Sequence, residues 1–309
     1  MNERSRLRAE RKRKRGKKRR FLLLLLVIGL LFIGYNAVQY ILALNQYSDD
    51  TGKQDFDFSG EEVKGKINVL LVGVDSRGEE KSRADTIIVA QYNSDSNTPK
   101  LMSIMRDSYV DIPGHGKNKI NTAYYLGGPE LLRQTIKENF GIGLEYYAVV
   151  DFKGFEYGVD ELFPKGVEID VEKAMSKGIG VELEPGLQTL NGKELLGYVR
   201  FRQDAEGDFG RVRRQQQVLN ILKDEMRSVS SVAKIPRLSA IVTSTVDTNL
   251  SKAALFTISK DVITGSMNDS ESLSIPVQGG YTDQRYSGVG LVLDLDMEKN
   301  RQAIDEFLQ

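Results

Sequence analysis

The 309 residues contain no cysteine, no tryptophan and a single histidine, His115. Without cysteine there is no disulfide, no thiolate nucleophile and no Cys-ligated zinc. With one histidine there is no multi-histidine metal site, and a histidine triad would have to centre on the loop PGHGKNK around His115. Familiar signatures are missing too. No GxxxxGK[ST], no GxGxxG after a strand, no HExxH and no GxSxG occurs, so neither a P-loop nor a serine elbow carries the chemistry. Basic character is lacking where a nucleic-acid binder needs it. Residues 45–309 hold 31 Lys+Arg against 41 Asp+Glu, and a surface of that sign does not attract a phosphate backbone non-specifically.

The positive charge sits at the front. Residues 1–20 carry 12 Lys+Arg and 2 Asp+Glu, and residues 21–44 carry no charge at all. A helix of that length, at about 1.5 Å per residue, spans the roughly 30 Å hydrocarbon core of a bilayer. The basic run before it keeps the N-terminus cytoplasmic by the positive-inside rule. Residues 40–44 lack a small-x-small cleavage site, so an uncleaved single-pass type II anchor is expected rather than a signal peptide. The expected organisation is a basic tail (1–20), a transmembrane helix (21–44), a polar acidic linker (45–66) and one extracellular domain (67–309).

Within that domain, INVLLVGV (67–74) is a near-continuous apolar run and reads as a strand covered on both faces. TIIVAQY (86–92) and KLMSIM (100–105) follow across short polar connections, which demand antiparallel neighbours. Residues 111–122 read as loop. Helices are expected over 130–139 behind Pro129, over 152–162, 191–199 and 251–264, from 207 onward and over 298–308, with further strands at 146–150, 166–171, 272–276 and 290–295. The alternation gives a layered α/β (α+β) fold: a mixed central sheet with an antiparallel meander and helices on both faces, preceded by one transmembrane helix.

The meander brings distant residues together. The first strand ends at Asp75, the second starts beside Asp85 and the third ends before Arg106, so all three sit at one sheet edge. Two carboxylates at one edge repel unless a cation joins them, and an oxygen-only set suits Mg²⁺, with Mn²⁺ a second option. Either aspartate also reads as a simple turn cap. The stretch YVRFRQDAEGDFGRVRRQQQ (198–217) then packs five arginines into fifteen positions. Arginine's planar fork suits phosphate. If 200–202 is extended, Arg200 and Arg202 point to the same side. Arg211, Gln215, Val218 and Leu222 share one helical face that begins charged and ends apolar. The alternative is a solvated helix with Arg211 and Arg213 paired to Asp204, Glu206 and Asp208.

In order, VLLVGVDSR, SRADT, MSIMRDSYVDIPG, KINTAYYLGGPE and LNGKELLGYVRFRQDAEGDFGRVRRQQQVL resemble the LytR-CpsA-Psr family of Gram-positive cell-wall enzymes. This resemblance implies a phosphotransferase that moves a glycopolymer, such as wall teichoic acid or capsular polysaccharide, from a polyprenyl-pyrophosphate carrier to a peptidoglycan hydroxyl. It implies Mg²⁺ on Asp75 and Asp85, the pyrophosphate among Arg83, Arg106, Arg200, Arg202, Arg211 and Gln215, and a prenyl chain between sheet and helices. Arg214 would be a second-rank contact. Asp75, Asp85 and Arg106 are the candidate catalytic residues. Three rival readings remain: a pyrophosphohydrolase using the same site, a non-catalytic envelope regulator that binds the carrier, and a structural adhesin, which only the anchor and linker favour.

Overall fold

The computed structural model describes residues 34–47, 56–75, 82–226 and 234–309. The expected cytoplasmic tail and most of the expected transmembrane run lie outside these residues. Among the described residues no helix is long and apolar enough to cross a membrane. Residues 34–47 are helical and are called α1.

The central sheet has six strands: β1 (Ile67–Val74), β2 (Ala84–Asn93), β3 (Thr98–Ile104), β6 (Tyr146–Asp151), β9 (Val246–Thr248) and β10 (Glu271–Ile275), in the order β10-β3-β2-β1-β6-β9. β1, β2 and β3 form the antiparallel meander, while β6 runs parallel to β1 and β10 parallel to β3. The sheet is therefore mixed. Two smaller sheets flank it: β4 (Ser108–Ile112), β5 (Gly116–Lys119), β11 (Tyr281–Tyr286) and β12 (Gly290–Leu295) in one, and β7 (Val167–Val171) with β8 (Gly186–Leu190) in the other.

Side chains alternate across a strand, and β1 uses both faces. Leu70, Val72 and Val74 join a first core with Leu132, Ile136 and Phe140 of α2 (Asn121–Phe140) and Ile304 of α8 (Met297–Leu308). A second core lies beyond the opposite face. It joins Val159 of α3 (Phe152–Leu162), Leu195, Leu196 and Val199 of α4 (Gly192–Arg200) and Val218 of α5 (Gly207–Met226) to residues of β7 and β8. Helix α4 starts where Asn191 and Glu194 form a reciprocal capping box, which satisfies two orphan backbone donors. Helices α6 (Ile235–Thr245) and α7 (Lys252–Ile263) complete the chain around β9.

Several elements differ from expectation. Residues 111–122 are not a loop: β4 and β5 form a hairpin with Pro113 and Gly114 in its turn. β5 reads GKNK and is half-exposed or exposed, so it lacks the apolar alternation that marks a strand. Arg200 is not extended. It ends α4, and the chain leaves through Phe201 at φ −63, ψ 134. The helix expected behind Pro129 is present, but α2 begins earlier and is kinked at Gly127 and Gly128, with Gly128 at φ +62, where glycine escapes the Cβ penalty. Residues 56–66, within the expected linker, lie partly against the first core, with Phe58 packed 5.0 Å from Tyr147.

Candidate functional site

The second face of the sheet does not close on the second core. A cavity of about 240 Å³ separates them, walled by Leu71, Ile88 and Val150 from the sheet and by Phe155, Leu196, Val199, Val218 and Leu219 from the helices. Its mouth is polar, formed by Asp85, Thr86, Arg106, Asp151, Arg200, Arg202, Arg211 and Gln215.

The meander delivers the first group. The β1–β2 register runs Gly73↔Thr86 and then Val74↔Ala84, leaving Asp85 as the extra residue of a bulge. Bulges re-aim a side chain, and here the Asp85 carboxylate accepts from Arg106 Nη1 at 2.5 Å. Gly73 faces Thr86 closely enough that a Cβ there would lie 3.0 Å from the Thr86 Cβ. Thr86 Oγ1 in turn accepts from Gln215 Nε2 at 2.9 Å, tying α5 to the sheet across the mouth. Asp75, one residue past β1, pairs with Arg200 Nη2 at 3.4 Å. The Arg200 guanidinium lies 4.4 Å from the centre of the Phe152 ring.

The second group comes from the start of α5. Arg211 is buried, and its Nη2 donates to Asp208 at 3.1 Å. Asp208 also stands 3.7 Å from Arg106 Nε, so one carboxylate lies between two guanidinium groups. Burial pulls the Arg211 guanidinium below its ordinary range; Asp208 opposes that, and Arg106 adds to it. Among the described residues, Arg106 Nε and Arg211 Nε are buried donors without a hydrogen-bond acceptor. Arg202 is exposed and forms no ion pair among the described residues.

Of the expected site residues, Asp85, Arg106, Arg200, Arg202, Arg211 and Gln215 line the mouth, and Asp75 is joined to it through Arg200. Arg83 does not line it; it is exposed, and its guanidinium lies 5.7 Å from the Tyr125 ring centre. Arg213 and Arg214 turn away. Arg213 pairs with Glu206, as in the solvated-helix alternative, and also with Glu172. Arg214 is fully buried and binds Glu172, Asp204 and the Phe201 carbonyl. It thus holds the backbone between Arg200 and Arg202. The sequence pattern does not single out Asp151, Thr86 or Phe152, which also line the cavity. Asp151 faces Val74 across β1–β6 and also caps α3 through Lys153 N. No sequence motif flags it, because only the parallel pairing places it there. The sequence marks Asp208 only as an ion-pair partner for Arg211 or Arg213.

A mouth built in this order from these strands and helices has known counterparts. The family model of the LytR_cpsA_psr family matches residues 33–304. The chain belongs to the LytR_cpsA_psr family. It is 46% identical over 244 residues to the regulatory protein MsrR of Staphylococcus aureus, covering 79% of this chain and 75% of MsrR. It is 34% identical over 314 residues to the polyisoprenyl-teichoic acid–peptidoglycan teichoic acid transferase TagU of Oceanobacillus iheyensis, covering 95% of each chain. The structure of TagT with bound octaprenyl pyrophosphate superposes with a TM-score of 0.59 at 28% identity, covering 83% of this chain and 95% of TagT. This member of the LytR_cpsA_psr family therefore shares its fold with a protein seen holding a prenyl pyrophosphate.

Proposed function

We propose that this protein is a membrane-anchored, extracellular cell-wall glycopolymer transferase. In this reading it moves an anionic polymer, such as wall teichoic acid or capsular polysaccharide, from a polyprenyl-pyrophosphate carrier to peptidoglycan. One observation carries the reading: four arginines and Gln215 converge on the polar mouth of an apolar cavity, with two guanidinium donors buried and unmatched. An elongated apolar ligand with a polyanionic head answers both halves of that site. The lipid-linked partner has its parallel in TagT, and the transferase activity in the name of TagU.

The chemistry follows from the residues. Phosphoryl transfer depends on positioning and charge neutralisation more than on covalent participation. The acceptor hydroxyl oxygen forms the new bond to the phosphorus that bears the polymer. The bond to the bridging oxygen breaks, and polyprenyl phosphate leaves. Arg106 and Arg211, preorganised by Asp85 and Asp208, face the charge that grows on the departing oxygen. Arg200 and Arg202 enter from the end of α4 against the same group. The hydroxyl proton goes to a base among the mouth carboxylates, with Asp75 the candidate.

Asp75 and Asp85 stand at adjacent strand ends, a donor set that fits Mg²⁺ or Mn²⁺, which take one or two carboxylates together with phosphate oxygens and water. Among the described residues no group of three or more His or acidic side chains forms a cage by itself, so the substrate's own oxygens would complete the shell. A metal bound there would neutralise pyrophosphate charge.

Full-chain protein, lipid-linked polymer and peptidoglycan test the reading. Arg106→Ala and Asp85→Asn should each lower transfer by about 10²–10³, the usual cost of losing one charge-stabilising group, with an unchanged circular dichroism spectrum. Wild-type turnover in Arg106→Ala overturns it. The regulatory name of MsrR supports a second reading, a carrier-binding regulator. In that case the wild type binds prenyl pyrophosphate and transfers nothing. If polymer is released only to water, the activity is pyrophosphohydrolysis.

A further inference from the structure

Helix α1 docks on the domain in one direction. Tyr40, Ala43, Leu44 and Tyr47 pack with Ala240 and Ile241 of α6 and with Tyr157 of α3. At its C-terminal end, Tyr47 lies 4.8 Å ring to ring from Tyr157, and Gln46 accepts from Arg237 Nη2 at 3.4 Å. Arg237 is near the start of α6 and pairs with Glu161 near the end of α3 at 2.8 Å. At the other end of that helix pair, Gly154 in the first turn of α3 lies against Thr245, the last residue of α6. So α6 runs antiparallel to α3, and α1 runs antiparallel to α6 and alongside α3. The N-terminal end of α1 points the same way as the N-terminal end of α3.

That end of α3 is the mouth of the cavity. Asp151 and Phe152 line it, and Asp151 sits opposite Val74 at the same sheet edge as Asp75 and Asp85. The outward face of α1 is apolar: Tyr35, Val38, Ile41 and Leu42 are each more than half exposed. They belong to the uncharged run that ends at Leu44. If lipid covers this face, the bilayer reaches to within a few residues of the docking contacts. At about 1.5 Å per residue, little length is left for a stalk.

We infer that the domain sits flush on the bilayer with the mouth of its cavity turned toward the lipid surface. The rim is suited to that place. Exposed Phe209 follows Asp208, the partner of Arg106 and Arg211, exposed Tyr125 and its neighbour Leu126 lie by Arg83 just before β2, and Arg202 is an exposed cation of the mouth itself. Aromatic and arginine side chains of this kind settle at the headgroup level and attract anionic lipid. A carrier would then pass from membrane to cavity without its prenyl chain crossing water. The opposite pole of the sheet, the β2–β3 turn around Asp95, would face away, about 30 Å from Asp85 at the usual strand rise.

This inference rests on the anchor reading above, and the test separates the two. Because the chain has no cysteine, single cysteines in the full-length protein take a fluorescent label cleanly. The variants are Val38→Cys, Leu126→Cys, Lys153→Cys and Asp95→Cys, reconstituted in vesicles of phosphatidylglycerol and phosphatidylcholine with doxyl-labelled quencher lipids. Quenching at 38, at 126 or 153, and not at 95 is the expected result. Quenching at 38 alone, or at 38 and 95, overturns the orientation while leaving the anchor intact. No quenching at 38 removes the anchor reading and this inference with it.

Discussion

Arg214 is the place to test whether the arginine-rich stretch is divided between chemistry and architecture. Its side chain is fully buried. Its Nη2 donates to the Phe201 carbonyl at 2.7 Å, and its Nη1 lies 2.8 Å from Glu172 and 3.4 Å from Asp204. Arg214→Ala strands the carbonyl and leaves Asp204, 6% exposed, with Lys173 as its remaining ion-pair partner. Deleting one partner of a buried pair costs about 3–5 kcal/mol. The neighbouring Arg213 shares Glu172, but its side chain is 50% exposed, and exposed pairs are worth about 0.2–1 kcal/mol. With a urea m-value of roughly 3 kcal/mol/M, Arg214→Ala should lower the midpoint by about 1–1.7 M and Arg213→Ala by about 0.3 M or less. Urea unfolding of the two variants, followed by circular dichroism, reads the difference. Equal midpoints would refute the division of labour.

Other expectations follow from the same contacts. Glu172 is raised by burial, but hydrogen bonds from Arg213, Arg214 and Tyr198 outweigh that and hold its carboxyl below its ordinary value of 4.5. A depressed carboxyl contributes stability that is present above the unfolded value and lost as pH falls through the folded one. Wild-type protein should therefore lose stability below pH 4.5 more steeply than Glu172→Gln in acid-titrated melting experiments. Gly73→Ala places a Cβ 3.0 Å from the Thr86 Cβ. It should displace Thr86 from Gln215 and weaken binding of a prenyl pyrophosphate in a fluorescence titration, while Gly158→Ala, at a glycine of α3 outside the cavity lining whose added Cβ meets nothing within 4 Å, should not.

Much of the site was legible because local signals carried it. The run INVLLVGV forms β1 over the expected residues, and its short connections forced the meander that brings Asp85 to Arg106. The helical spacing of Arg211, Gln215 and Val218 placed all three on the cavity. Other features depend on contacts remote in sequence. Arg214 resembles its neighbours as a string of letters, and only the position of Glu172, 42 residues earlier, makes it structural. Asp151 enters through parallel pairing between β1 and β6, which no short loop announces. The β4–β5 hairpin escaped notice because an edge strand facing solvent needs no apolar pattern.

The central sheet, through Leu71, Ile88 and Val150, and the second core, through Leu196, Val199 and Val218, face each other across open space rather than through interlocked side chains. A carrier seated there would act as mortar, its isoprene units touching both walls at once. The substrate would then be a temporary part of the protein's interior, and every turnover would end by withdrawing some of the material that holds the walls together. Grip on the lipid and cohesion of the domain would rise and fall as one quantity.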